Sequence, residues 1–218
     1  MLPPTRVLYA AEQPVSTEQL LAQARFGKDT THLAIIDRWG NAVSLTPSDF
    51  PKTPMVPGTG LTLGNRMTQF RLDPNHPNHL EPGKRPRVTP HAVIVLKNGQ
   101  LYMAFGTPGD DMQTQAWIQT FLNMQVFGMD IQQAINAPRF RTMSMPATFA
   151  PHESAPGTLL LEGKLYAQSA EGLKALGYTP LRYPDWDNTF GAVGAAIRNA
   201  DGLVGGSDPR EETWAVGK

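Results

Sequence analysis

Residues 29–48 read DTTHLAIIDRWGNAVSLTPS. Two apolar, β-branched runs, 31–37 and 42–46, flank the tight turn RWGN at 38–41, which predicts a hairpin. An acid, two threonines and a histidine stand at the first step of its first strand. Side chains that do chemistry sit more often on loops. A threonine hydroxyl is a weak nucleophile until a base removes its proton. If the backbone is cut before Thr30, the new α-amino group, with a pKa of about 7.7–8.0, is a general base beside its own hydroxyl. The strand would then anchor a free N-terminus inside a cleft. The plainer alternative is a turn, Asp29-Thr30-Thr31, entering a strand in which threonine is favoured.

Outward from the hairpin, PVSTEQLLAQARF (14–26) predicts a short helix capped by Ser16 or Thr17 and ended by Gly27. Residues 47–90 hold nine of the twenty prolines and no sustained periodicity, so a long ordered loop region is expected. AVIVLKNGQLYMAFG (92–106) is a second hairpin, turning on Asn98-Gly99. TPGDDMQTQAWIQTFLNMQVFG (107–128) predicts a turn and a long helix, with Asp110 or Asp111 in its first turn and Trp117, Phe121 and Met124 on its buried face. A short helix at 130–136 should end at Ala137-Pro138. A strand near 158–161, a helix at 166–176 and strands at 179–183, 191–198 and 203–206 complete the chain. The pattern is mixed α/β built on hairpins, hence antiparallel sheet.

The 218 residues suffice for one domain with a sizeable core. Lysine plus arginine equals aspartate plus glutamate, 19 against 19, which argues against a nucleic-acid partner or an anionic membrane surface. No apolar run approaches the roughly 20 residues of a membrane span. The first residues lack the apolar core of a signal peptide, and the compartment is left open. There is no cysteine, which excludes disulfides and thiolate chemistry. HPNH (76–79) offers two histidines three apart but no evident third ligand, so no metal and no cofactor is expected. His32 is expected to be a packed, hydrogen-bonded residue. GTPGDD (106–111) ends a strand, turns on glycine and opens a helix; taken alone it reads first as an ordinary strand-to-helix connection, and its free backbone N–H groups also suit an oxyanion. NAPRF (136–140) and GGSDPR (205–210) are unusual punctuation with no chemistry readable from first principles.

Taken together, TTHLAIIDRWGNAVSLT, KRP at 84–86, GTPG, NAPRF and GGSDPR resemble the γ-glutamyltranspeptidase family of N-terminal nucleophile hydrolases across residues 29–212. The resemblance implies a four-layer αββα sandwich with antiparallel sheets. It implies a precursor that cleaves itself between Asp29 and Thr30, so that 1–29 is the tail of a large-subunit region and 30–218 is the small-subunit catalytic domain. Thr30 would be both cleavage and catalytic nucleophile. Ser48 takes the place of the family's second threonine, and Gly109 and Asp110 that of its oxyanion glycines. The expected partner is a large subunit of the same family, and the substrate a small amide or peptide-like molecule.

The acyl pocket departs from the family's pattern. Phe50 stands where the family has an asparagine. Arg66 and Gln69 take the places of the residues that hold a substrate ammonium. Val88 and Thr89 replace the paired serines that hold the α-carboxylate. These changes imply amide hydrolysis or acyl transfer with specificity altered away from γ-glutamyl. An arginine there would repel an ammonium and attract a carboxylate. The chain begins only 29 residues before Thr30, so the other class of reading is a non-catalytic fragment or scaffold without its large subunit.

Overall fold

The computed structural model describes residues 30–48, 55–61, 63–89 and 91–217. The expected helix at 14–26, Asp29 and Phe50 lie outside them. The first hairpin pairs β1 (Leu33–Ile36) with β2 (Ala42–Leu45) in antiparallel register, Leu33 opposite Leu45 and Ile36 opposite Ala42. The second pairs β3 (Ala92–Lys97) with β4 (Gln100–Gly106). Its turn residues Asn98 and Gly99 both have positive φ, 53° and 77°, as an Asn-Gly turn of this kind requires. β8 (Gly194–Asn199) and β9 (Gly202–Gly206) extend this hairpin into an antiparallel sheet of order β3-β4-β8-β9.

Side-chain alternation gives the four-stranded sheet two unlike faces. Met103, Phe105, Ala195 and Ile197 are buried in the hydrophobic core with Met112 and Ile135, residues of the two helices on that side. Those helices are α1 (Met112–Gln125) and α2 (Ile131–Asn136). Phe105 meets Trp117 edge-on and stacks with Phe121, with ring centroids 5.8 and 6.2 Å apart. The other face carries Ala104, Gly106, Gly194 and Ala196, which stand opposite one another in register. These small residues let the β1–β2 hairpin approach closely. Ser44 Oγ donates to Phe105 O at 3.0 Å and accepts from Val93 N at 3.1 Å. Three layers result among the described residues: helices, a four-stranded sheet and the hairpin. The outer face of the hairpin is apolar and half exposed, at Leu33, Ile35, Val43 and Leu45.

A third sheet was not anticipated. β5 (Phe140–Thr142) pairs antiparallel with β6 (Thr158–Glu162), which pairs parallel with β7 (Thr179–Tyr183) across α3 (Gly163–Ala175). The mixed fold with antiparallel sheets is as expected, with one parallel pair added at this β-α-β unit; α3 begins three residues before the predicted 166. β5 was missed because three residues carry no readable period. Its free edge is satisfied by side chains. Gln119 accepts from Phe140 N and donates to Phe140 O; Gln115 does the same at Thr142. Two glutamines one helical turn apart thus stand in for a strand. Residues 55–89 hold one short 3₁₀ turn, Arg66–Gln69, and otherwise follow the loop expectation. Among the described residues, no helix is long and apolar enough to cross a membrane.

NAPRF and GGSDPR meet at a buried cluster of four charges. Arg139 Nη2 lies 2.7 Å from Asp208 Oδ2, and Arg210 bridges Asp208 at 3.1 Å and Glu162 at 2.6 Å. All four side chains are at most 1% exposed. Burial disfavours charge on both guanidiniums. For Arg139 burial prevails over Asp208 and lowers the pKa, whereas for Arg210 the bonds to Glu162 and Asp208 outweigh it. The arginines also donate to Phe190 O, Ile135 O and Ala137 O, so the cluster ties α2 to the last loop. Arg139→Leu removes one of the two arginines that pair with Asp208 and the donor to Phe190 O, leaves the cluster with a net buried negative charge, and is expected to cost about 3–5 kcal/mol. Urea unfolding of the variant beside the wild type measures it; a cost below 1 kcal/mol would show that the cluster relaxes.

Candidate active site

Thr30 stands three residues before β1, and Ser48 three residues after β2. The hairpin register continues to them, with Thr31 N donating to Pro47 O at 3.0 Å. Thr30 Oγ1 and Ser48 Oγ are therefore cross-strand neighbours, 2.8 Å apart. The eighteen-residue spacing follows from this register. Thr30 and His32 both point to the face that meets the four-stranded sheet, while Thr31 points away.

His32 is packed, as expected. Its Nδ1 lies 3.1 Å from Thr46 Oγ1, and its Nε2 is buried without a hydrogen-bond partner among the described residues. Burial lowers its pKa from 6.5 to about 4, against a hydrogen bond with Leu45 that raises it. His32 is thus neutral near pH 7.

The GTPGDD turn leaves β4 at the end where β1 begins. Thr107, wholly buried, donates to Pro108 O and accepts from Ala192 N at 2.7 Å. Gly109 and Asp110 follow with φ of 124° and 48°, a conformation that suits glycine at the first position. The helical ladder begins with Met112 N donating to Gly109 O at 2.7 Å. Asp111 flanks α1 but makes no side-chain cap. Its carboxylate instead accepts from Thr148 N at 2.8 Å and from the Thr148 hydroxyl. That correction concerns a residue 37 positions away, which no local pattern signals. The buried Arg141 on β5 interacts electrostatically with Asp110 and Asp111. Sequence reasoning missed Arg141 as well.

The positions expected to rework the acyl pocket fall into two groups. Arg66 Nη1 donates to Thr89 Oγ1 at 2.9 Å and lies 5.5 Å from the Phe149 ring centroid. Gln69 is 1% exposed, and its amide is satisfied when oriented to accept from Arg66 and donate to Arg87 O. Arg66, Gln69 and Thr89 are thus one cluster. Val88 is 60% exposed and stands outside it. In HPNH, His79 turns to Glu81 at 3.3 Å and His76 accepts from Asn78 N at 3.0 Å, so the two serve loop contacts.

Known proteins resemble this chain in sequence and in fold. The family model described as gamma-glutamyltranspeptidase matches residues 5–217. A "Glutathione hydrolase-like YwrD proenzyme" from Bacillus subtilis is 36% identical over 88% of the chain and 36% of its own length. An "Oxamate amidohydrolase proenzyme" from Klebsiella pneumoniae is 31% identical over 87% of the chain and 35% of its own length. The chain therefore spans a little over a third of these curated relatives. The solved structure of a gamma-glutamyltranspeptidase from Pseudomonas nitroreducens complexed with L-DON superposes with a TM-score of 0.71 at 28% identity. It covers 87% of this chain and 100% of that one.

The state of His32 makes stability pH-dependent. Above pH 6.5 the folded and unfolded chains both hold it neutral. As pH falls from 6.5 to about 4, only the unfolded chain takes up the proton, so stability is lost across that window. His32→Gln should flatten the fall in melting temperature over this range. A slope identical to that of the wild type would show that His32 is not the group responsible.

Proposed function

The chain belongs to the γ-glutamyltranspeptidase family, and we propose that it is the part of an amide hydrolase or acyltransferase that carries the nucleophile. The observation that carries this reading is the Thr30–Ser48 hydroxyl pair at the mouth of the hairpin. In the proposed maturation, Thr30 Oγ attacks the Asp29 carbonyl, and water hydrolyses the resulting ester. The freed amine of Thr30 then serves as general base for the same hydroxyl. Ser48 orients that hydroxyl. Thr30 Oγ attacks the acyl carbon of the substrate; the tetrahedral intermediate, its oxyanion held by N–H groups of Gly109 and Asp110, collapses to an acyl ester on Thr30 as the C–N bond breaks and the leaving amine takes the proton from the Thr30 α-amino group. Attack by water gives hydrolysis, and attack by an amine gives transfer.

The proposed partner is a large subunit of the same family. The apolar strip Leu33, Ile35, Val43 and Leu45 supports it, because a half-exposed sheet face of four large aliphatic side chains calls for a further layer. The proposed substrate is an amide whose acyl part bears a negative group and no α-ammonium. The Arg66–Gln69–Thr89 cluster supports this reading by setting a fixed positive charge among amide and hydroxyl groups. The name of the oxamate-cleaving relative points to the same class.

Intact-mass measurement of the purified chain with its partner tests the mechanism. Cleavage is expected between residues 29 and 30. Thr30→Ala should abolish both cleavage and turnover, and Thr30→Ser should keep some of each. An active alanine variant would sink the mechanism. Gly109→Val should depress turnover, since loss of one oxyanion donor typically costs about 2.7–4 kcal/mol. An equal loss of binding would point to misfolding.

Substrate choice is tested with γ-glutamyl and glutaryl anilides compared on the wild type and Arg66→Gln. The wild type should prefer the glutaryl compound and the variant should lose that preference. A wild type that favours the γ-glutamyl compound would overturn the specificity reading and leave the nucleophile assignment standing.

A further inference from the structure

The two glycines that face the hairpin, Gly106 and Gly194, stand directly opposite each other on β4 and β8. A methyl group at Gly106 would lie 2.6 Å from His32 Cε1 and 2.8 Å from His32 Nδ1. One at Gly194 would lie 3.4 Å from His32 Cδ2. The imidazole therefore rests in a saddle that two neighbouring strands form by omitting their side chains. Thr46 holds the ring from the other strand of the hairpin, at 3.1 Å. Continued register makes His32–Thr46 the next inward pair after Thr30–Ser48 on the same face. The saddle lies at the end of β4 that leads, three residues later, into Gly109 and Asp110.

We propose that His32 is a positioning residue for the reaction of Thr30: as a wedge between hairpin and sheet, pinned by Thr46, it fixes how far the Thr30 hydroxyl stands from the 107–111 turn. This rests on the reading of Thr30 as nucleophile. The physical case is one of distances. Thr30 belongs to a two-stranded hairpin, whereas the oxyanion turn belongs to the four-stranded sheet. Only contacts between those layers set their separation. Among the described residues near the site, such contacts include the His32 ring in its saddle and, two residues further along the hairpin, Ser44 on the sheet backbone. Among the described residues the buried Nε2 has no hydrogen-bond partner, which fits a side chain kept for its shape. His32 is two residues from Thr30 and does not serve as its base; the α-amino group does that.

The prediction concerns kcat, since a misplaced nucleophile binds substrate normally and reacts slowly. A displacement of about 1 Å can cost on the order of 100-fold in rate. The full chain with its large-subunit partner carries His32→Ala, Thr46→Val or Thr46→Ser. The rate of cleavage at residue 29 is followed by intact mass, and kcat and KM are measured with the better of the two anilides. His32→Ala should slow cleavage and lower kcat on the order of 100-fold, with KM within about threefold. Thr46→Val, which keeps the shape and removes the hydroxyl, should lower kcat by a smaller factor, and Thr46→Ser should restore it. A His32→Ala enzyme that cleaves and turns over like the wild type would overturn the proposal alone. So would parallel losses in kcat and KM, or a Thr46→Ser variant no better than Thr46→Val, either of which marks a merely structural role. A wild type that neither cleaves nor turns over would overturn the nucleophile reading, and this one with it.

Discussion

Two arginines and two carboxylates buried beneath the sheet set the frame for everything else. Arg139, Arg210, Asp208 and Glu162 balance to zero charge, and each also binds backbone. Taking such charges out of water costs several kcal/mol per ion, which mutual pairing and saturated hydrogen bonding must offset. An incomplete cluster is therefore expensive. The consequence is geometric: the end of β6, the loop before β8, the C-terminus of α2 and the loop after β9 can meet in only one arrangement. Asp208 holds Val193 N at 2.8 Å, one residue before β8 begins at Gly194. The cluster thereby fixes the strand that supplies half of the His32 saddle.

Much of the fold was legible because it is written in local signals. Asn98-Gly99 marked its hairpin, RWGN marked the first, and the Ala137-Pro138 stop ended α2 as expected. The four apolar residues of the hairpin's outer face could be read as a strand pattern, though not as exposed. What was not legible is non-local. Gln115 and Gln119 read as ordinary helix residues until β5 is seen beside them, satisfied by their amides. The parallel pairing of β6 and β7 leaves no mark on either strand's composition. NAPRF and GGSDPR could be recognised only as a resemblance, because their meaning is a contact across about 70 residues.

The site divides the same way. The pairing of Thr30 with Ser48 was implied by the resemblance, and the hairpin register gives its physical reason. Arg66, Gln69 and Thr89 were named separately by resemblance, and only the structure joins them, with Phe149 as a surface that no motif indicated. Val88 was named with them but faces outward. Asp111 was expected to serve the helix and serves Thr148 instead. In that place the carboxylate braces the loop beside the turn, a task that matters more to the site than one helix cap.

On the proposed reading, Thr30 and the 107–111 turn lie on separate layers, and after cleavage Thr30 becomes a chain end with no covalent support on one side. A chain end frays unless packing restrains it. Strand pairing supplies one restraint, through Thr31 N on Pro47 O and the Thr30–Ser48 bond. Those contacts hold Thr30 within the hairpin. Close approach of the layers supplies the second restraint, and close approach requires small residues: Ala104, Gly106, Gly194 and Ala196 form that face. The glycines of this protein therefore divide by purpose. Gly109 provides a backbone conformation, with φ of 124°. Gly106 and Gly194 provide room, and His32 occupies it. On the reading proposed for Thr30, the histidine two residues on is the rigid spacer between its hydroxyl and the sheet.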